Sequence, residues 1–339
     1  MKCQTVSKVR MKKTLIFGLM SAALMLPVQA QESDQFKPSG KIFGLLFANY
    51  HTTFSGGENV SVFEITRSYL GFDYSFSRTI MSRVMFDAMT QTIDGKIIST
   101  GYLRNAYLQY DNGKLMLRGG LIGVEQLSTT EKLWNYRYII KQPLDYSGMI
   151  FSADLGFMAK YQVSGAMSVD IGLLNGRGYK DVAPDTTLKF ISGITVKPAR
   201  NILFRGYFDA MGPGGERQMT FSLTGAYLGP VFSLGAEYFR QNNHLTELGE
   251  HYSGLSIFSS IKVAEKFTVF ARYDNIGSVT LEGDTDPWNL SKDGTNLCIG
   301  FDYSPVKNVR ISPNFRGGIP DDTDADNVWI GGLNVEARF

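Results

Sequence analysis

Cysteine and histidine are scarce: the 339-residue chain has 2 of the first and 3 of the second. Two thiols cannot build a disulfide framework, and three dispersed histidines without a Cys pair give no zinc-ligand spacing. No Gly-Lys-Ser/Thr loop is present to cradle a phosphate. Charged residues make up only 19%, and 34 Lys and Arg against 32 Asp and Glu leave a net charge of +2. That balance argues against a nucleic-acid partner. After residue 30 no apolar run approaches the roughly 18 residues of a membrane helix, and no long stretch repeats at 3.6 residues. What the chain does have is 36 Gly, 23 Phe and 17 Tyr. Its 13% aromatic content excludes a disordered chain and leans towards β structure.

The first thirty residues have the pattern of an export signal. Lys2, Lys8, Arg10, Lys12 and Lys13 precede a 13-residue apolar run from Thr14 to Leu26, and Pro27-Val28-Gln29-Ala30 supplies a small-residue cleavage site. The run is too short to span a bilayer as a helix. Residues 1–30 are therefore expected to be cleaved, leaving 31–339 as a barrel-forming chain with 29 basic and 32 acidic residues. Only Cys298 remains after that cut, so no intrachain disulfide can form even in an oxidising compartment.

The mature chain alternates. In its last segment Trp329, Gly331, Leu333, Val335, Ala337 and Phe339 share one parity, with Asn334, Glu336 and Arg338 on the other. A period of two with one apolar and one polar face is a half-buried strand. The same pattern predicts strands near 40–53, 59–76, 79–91, 100–111, 114–122, 148–162, 166–175 and 186–197. It predicts eight more near 201–211, 216–228, 231–241, 251–263, 266–278, 293–304, 307–316 and 326–339.

Sixteen strands of about 10–15 residues are long enough to cross a bilayer at a tilt, whereas soluble strands average about 5–6. Tight turns alternate with longer loops at 92–99, 123–147, 176–185, 242–250, 279–292 and 317–325. Short turns on one side and long loops on the other mark a transmembrane antiparallel β-barrel. Aromatics close successive strands at Phe76, Tyr110, Tyr161, Tyr227, Tyr303 and Phe339, as in the interfacial girdle of such barrels. The fold class predicted is all-β, a barrel of about 16 strands with short periplasmic turns and longer extracellular loops.

Two stretches carry a family resemblance. Phe63-Glu64-Ile65-Thr66-Arg67-Ser68-Tyr69-Leu70-Gly71-Phe72, continued by Arg83 to Asp87, resembles the early strands of the phosphate-selective porin O/P family. Leu103-Arg104-Asn105-Ala106-Tyr107-Leu108-Gln109-Tyr110, followed by Leu115 to Gly120, resembles its next hairpin. The terminal Arg338-Phe339 is similar to the C-terminus by which outer-membrane proteins address the barrel-assembly machinery. The resemblance implies a sixteen-stranded, trimeric porin in the outer membrane of a Gram-negative bacterium. It also implies a third extracellular loop folded into the lumen. The chain departs from the family after the fifth strand, where Gly119-Gly120-Leu121-Ile122-Gly123-Val124-Glu125-Gln126 replaces a Gly-Gln-Phe-Lys-Pro-Pro-Phe-Gly-like segment. The family's basic pathway for phosphate is therefore not carried over.

With the polar parity inward, Arg67, Arg83, Arg118, Arg205, Arg272, Arg310, Arg316 and Arg338 face the lumen. So do Asp73, Asp87, Asp154, Asp170, Asp209, Glu237, Asp274, Asp302 and Glu336. Rings of charge set a pore's field, and eight cations against nine anions predict weak selectivity. The longest connection, 123–147, carries Glu125, Glu131, Lys132, Arg137 and Lys141 and is expected to constrict the lumen.

Other chemistry is thin. His251-Tyr252-Ser253 resembles the His-x-Ser pair of an outer-membrane phospholipase, but no Asn or Asp orienter follows at the expected place. Asp322, Asp324 and Asp326 open like a calcium loop, yet Asn327 and Leu333 stand where Gly and Glu are required; weak calcium binding at 321–326 is the most this motif implies. No catalytic residue, cofactor or metal is predicted. With only 31–39 ahead of the first strand, no plug domain or Ton-box-like segment is expected. The function expected is passive diffusion of small hydrophilic solutes or ions through a water-filled barrel. An anion- or phosphate-selective porin, a display barrel and a carrier of hydrophobic ligands along Tyr69, Tyr107, Tyr207, Phe258 and Phe270 are the alternatives. Expected partners are outer-membrane lipid and lipopolysaccharide, the assembly machinery through Phe339, and further copies of the chain in a homotrimer.

Overall fold

The computed structural model describes residues 36–93, 96–180 and 187–339; the export signal and the cleavage expected after Ala30 fall outside them. Within Pro38–Phe339, sixteen antiparallel strands pair in chain order and the last closes on the first. The first half comprises β1 (Ser39–Ser55), β2 (Glu58–Ser75), β3 (Ile80–Ile93), β4 (Lys96–Asp111), β5 (Leu115–Gly123), β6 (Ala153–Ser164), β7 (Met167–Leu174) and β8 (Lys189–Ala199). The second comprises β9 (Ile202–Met211), β10 (Gln218–Leu228), β11 (Phe232–Asn242), β12 (Tyr252–Ala264), β13 (Phe267–Ser278), β14 (Gly294–Tyr303), β15 (Val309–Pro320) and β16 (Val328–Arg338).

Each strand expected from alternation has its counterpart, with three corrections at the ends. β6 begins at Ala153 rather than near 148. Met149 and Ile150 are adjacent and both buried, which alternation on one strand cannot provide. The loop expected over 92–99 is a hairpin in which the ladder runs on until Ile93 pairs with Lys96. β15 runs on to Pro320, paired with Gly294; Gly317 and Gly318 have no side chains to report a face.

The outer surface is apolar. Phe204 and Phe208 on β9, Phe221 and Leu223 on β10, and Ile299 and Phe301 on β14 are exposed, while Arg205, Tyr207, Asp209, Thr220, Ser222 and Cys298 between them are buried. An apolar band around a whole barrel far exceeds the patch of a few hundred Å² that a soluble protein exposes. It is stable facing lipid, and closure leaves no strand edge unpaired there. At the short-turn end Phe76, Tyr161, Tyr227 and Phe339 are exposed, and Phe267 stacks on Tyr303 with centroids 4.8 Å apart.

Closure uses the last residue. Gly44 N donates to Phe339 O at 2.9 Å, and Phe339 N donates to Gly44 O at 3.1 Å. The Phe339 ring lies where a side chain on residue 44 would stand, so any larger residue there would have to push the ring aside.

Candidate functional site

The connection between β5 and β6 folds inside the barrel. Its first part is a helix, α1 (Glu125–Trp134), and a second short helix is α2 (Pro143–Tyr146). Glu125 in the first turn and Lys132 in the last complement the helix dipole. Gln126, Leu127, Thr130, Leu133 and Trp134 are the buried residues, one stripe at helical spacing. Asn135 ends the helix in the left-handed conformation at φ 64°.

That stripe packs on the half of the wall formed by the later strands. Leu127, Leu144, Met149 and Ile150 join Met158, Ile191, Tyr207 and Phe239 in one apolar cluster. In a second, Trp134 meets Phe258 and Phe270 edge-on, and Tyr136 stacks on Phe270 with centroids 4.1 Å apart.

Polar anchors fix the register. Gln126 Nε2 donates to Glu237 Oε1 at 2.8 Å, and Arg205 Nε donates to Gln126 Oε1 at 2.8 Å. Tyr138 OH donates to Asp302 at 3.1 Å, Arg310 donates to the Asn135 carbonyl at 2.6 Å, and Asn334 donates to the Tyr138 carbonyl at 2.9 Å. At the root of the loop Lys160 of β6 holds Glu125 at 2.5 Å. Burial alone would raise the Glu125 pKa, but the Lys160 charge and hydrogen bond outweigh it and the net shift is downward. Burial likewise opposes the charge on Arg137, yet Tyr69, Glu131 and Asp145 around it drive its pKa well above the ordinary value. Burial pushes the Tyr136 hydroxyl up to about 12.

This packing corrects the expected lining. Arg205, Asp209, Glu237, Arg272 and Asp274 all point inward, but each is at most 3% exposed. The loop seals them off, and their charges are spent locally. Arg205 grips Asp170 with two bonds of 2.7 and 3.0 Å, Arg272 grips Asp274 at 2.6 and 2.8 Å, and Lys189 lies 3.7 Å from Asp209. Arg310 is closed by Asp302 at 2.8 Å and lies over the Tyr136 and Tyr138 rings.

The other face of the loop looks across a gap at the early strands. Glu131, Lys132 and Arg137 line a cavity of about 500 Å³ together with Arg83 and Arg104 of the wall. Lys141 lies further along the loop, 3.7 Å from Asp145. Arg83 is paired with Asp73 at 2.6 Å, and Arg67 with Asp87. Tyr179, from the connection after β7, reaches that pair and donates to Asp87 at 2.7 Å. Arg118 and Arg104 differ from these: among the described residues neither has a carboxylate within 4 Å. Arg118 is held by Gln109 at 2.7 and 3.0 Å and lies over Tyr107; Arg104 bonds Asn105 at 3.1 Å and lies over Tyr69.

Arg104 escapes a reading by alternation because it is the extra residue of a bulge. Met85 pairs with Asn105 and Phe86 with Leu103, leaving Arg104 unopposed, and such a residue re-aims its side chain. Gln126 and Tyr138 escape it too, since a loop's periodicity says nothing about which wall it will meet. His251 and Ser253 form no pair: the His251 ring accepts from the Asn243 amide at 3.1 Å, and Ser253 lies exposed. Asp322 closes a turn onto the Asp324 amide at 3.0 Å. Among the described residues no group of three or more His, Cys, Asp or Glu is placed to hold a metal.

No family model matches the chain, and no curated protein matches it. Solved structures do share its fold. An OmpF of Salmonella typhi in complex with daunomycin superposes with a TM-score of 0.65 at 12% identity, covering 88% of this chain and 97% of its own. The outer-membrane channel DcaP of Acinetobacter baumannii gives 0.64 at 13%, over 91% and 100%. An anion-selective porin from Comamonas acidovorans gives 0.63 at 11%, over 89% and 100%.

Proposed function

We propose that this chain is an outer-membrane porin that lets small hydrophilic solutes diffuse through the gap between its internal loop and the β2–β5 wall, with a preference for anions. The observation that carries the reading is the sorting of charge by the loop. On the sealed side Arg205, Arg272 and Lys189 are matched by Asp170, Asp274 and Asp209, and Glu237 is held by the neutral Gln126 and Ser222. On the open side Arg104 and Lys132 line the cavity without carboxylate partners among the described residues. Counting every inward charge predicts weak selectivity; counting those that border the gap predicts anion selectivity, because only they act on a passing ion. Membership of the phosphate-selective family is not required for this preference.

Likeness of fold to porins supports the reading, as does the apolar outer band. Transport of hydrophobic ligands fits less well, because Tyr207, Phe258 and Phe270 are buried under the loop. The test is single-channel current of the folded mature chain in a planar bilayer under a KCl gradient. Stable conductance steps with a reversal potential on the chloride side are expected. A cation-selective potential would overturn the preference, and no conductance from a verified folded barrel would overturn the porin itself.

A further inference from the structure

The cavity between α1 and the early strands has a floor for which an aqueous passage has no use. Phe43, Leu45 and Phe47 of β1 line it beside Tyr69 of β2 and Met85 of β3. The Phe47 and Tyr69 rings meet edge to face with centroids 6.3 Å apart. Inward positions of a water-filled barrel are ordinarily polar. Here an apolar patch adjoins a guanidinium.

That guanidinium, Arg104, is incompletely satisfied. Its Nη1 donates to Asn105 at 3.1 Å, its plane lies 5.2 Å over the Tyr69 ring, and its Nε is buried without any partner. The acids that border the cavity are committed elsewhere: Glu131 to Arg137 at 2.5 Å, and Glu336 to Arg338 at 2.8 Å. Lys132 adds an exposed ammonium from the loop side. A carboxylate fits a guanidinium with free N–H groups. An inorganic anion gains nothing from the neighbouring rings, and a neutral sugar leaves the charge unanswered.

We infer that this cavity binds a carboxylate carried on a flat apolar body, with Arg104 taking the carboxylate and the half-buried Phe43 and Leu45 receiving the ring. The inference rests on the porin reading in that the ligand reaches the cavity through the same gap. Occupancy is brief, since a conducting site must release what it holds.

The experiment uses benzoate and acetate as probes on the folded mature chain and on Arg104→Gln. Benzoate is expected to interrupt the single-channel current at about one tenth the concentration of acetate, from the apolar area of its ring. Arg104→Gln is expected to weaken the benzoate effect about tenfold, the usual loss for a charged hydrogen bond. Saturation-transfer NMR of benzoate on the detergent-solubilised barrel measures the same site without current. Equal potency of the two acids, or an unchanged benzoate effect in Arg104→Gln, overturns the site. Normal conductance with neither interruption nor saturation transfer overturns it while the porin stands. Saturation transfer that Arg104→Gln abolishes, in a barrel that does not conduct, keeps the site and removes the porin.

Discussion

The Gln126 side-chain amide donates to Glu237 at 2.8 Å in the sealed half of the barrel, and its oxygen accepts from Arg205 at the same distance. One neutral residue of the loop thus bridges a buried cation and a buried acid that belong to different strands. Removing a partner from a buried polar group costs about 1–3 kcal/mol. Gln126→Ala is therefore expected to loosen the loop. Current recordings should become noisier, and the folded band on an unheated gel should convert at a lower temperature. A quiet trace at full heat resistance would show that the apolar clusters alone hold the loop.

The two classes of arginine should respond differently to the same change. Arg104→Gln, at the gap, is expected to move the reversal potential towards cations with little effect on heat resistance. Arg272→Gln removes the partner of buried Asp274, a loss of about 3 kcal/mol, and should lower heat resistance while leaving selectivity alone. Identical effects on the reversal potential would abolish the distinction between sealed and open walls.

Deleting 127–143 strips Leu127, Leu133, Trp134, Tyr136, Tyr138 and Ile139 from the interior. Each buried apolar side chain contributes about 1.5–3 kcal/mol. A marked rise in conductance together with a large drop in heat resistance is expected. Unchanged conductance would finish the idea that this loop sets the size limit.

Gly120 has φ of +122°, and a Cβ there would stand 2.3 Å from the Ala106 carbonyl oxygen. Gly113 also has positive φ, at +83°, but open space around it. Gly120→Ala is expected to cost about 3 kcal/mol or to block folding, against about 1 kcal/mol for Gly113→Ala. Comparing the refolding yields of the two variants measures the difference; equal yields would mean that the β4–β5 contact yields to the methyl.

His244 stacks on Trp288 with centroids 5.8 Å apart and meets Tyr252 edge-on at 5.1 Å. Burial, then the charges of Lys189 and Lys292, lower its pKa from 6.5 to about 4. An opened loop takes up its proton near 6.5 and the packed loop only near 4. Packing is therefore at full strength above 6.5, weakens as the pH falls from 6.5 to 4, and weakens no further below. Trp288 fluorescence should stay flat down to pH 5 and change near 4, with the change lost in His244→Gln. A midpoint near 6.5 would mean a solvated ring.

The wall of this barrel was legible in the sequence because a strand with lipid on one side writes its faces as alternation. Phe204, Arg205, Tyr207 and Phe208 could be sorted by parity before any coordinates. Arg104 could not, although a trace of the bulge is present: Leu103 and Leu108 both face outward at 40% and 56% exposure despite their odd spacing. Two outward residues five apart require a parity break between them. What the interior holds was less legible still. Alternation says that Glu237 and Asp274 point inward; whether water or Gln126 and Tyr146 await them depends on how a distant loop folds.

The bond from Asn334 to the Tyr138 carbonyl joins residues 196 positions apart. Contacts that distant form late, after much loop entropy has been lost. The loop emerges before β6, yet its last ligand on the wall arrives only with β16. During synthesis order, then, the interior stays unfinished until the final strand is laid beside the first. The strand that seals the cylinder also supplies this last anchor of its filling, and a chain stalled short of β16 leaves the Tyr138 carbonyl without its Asn334 partner.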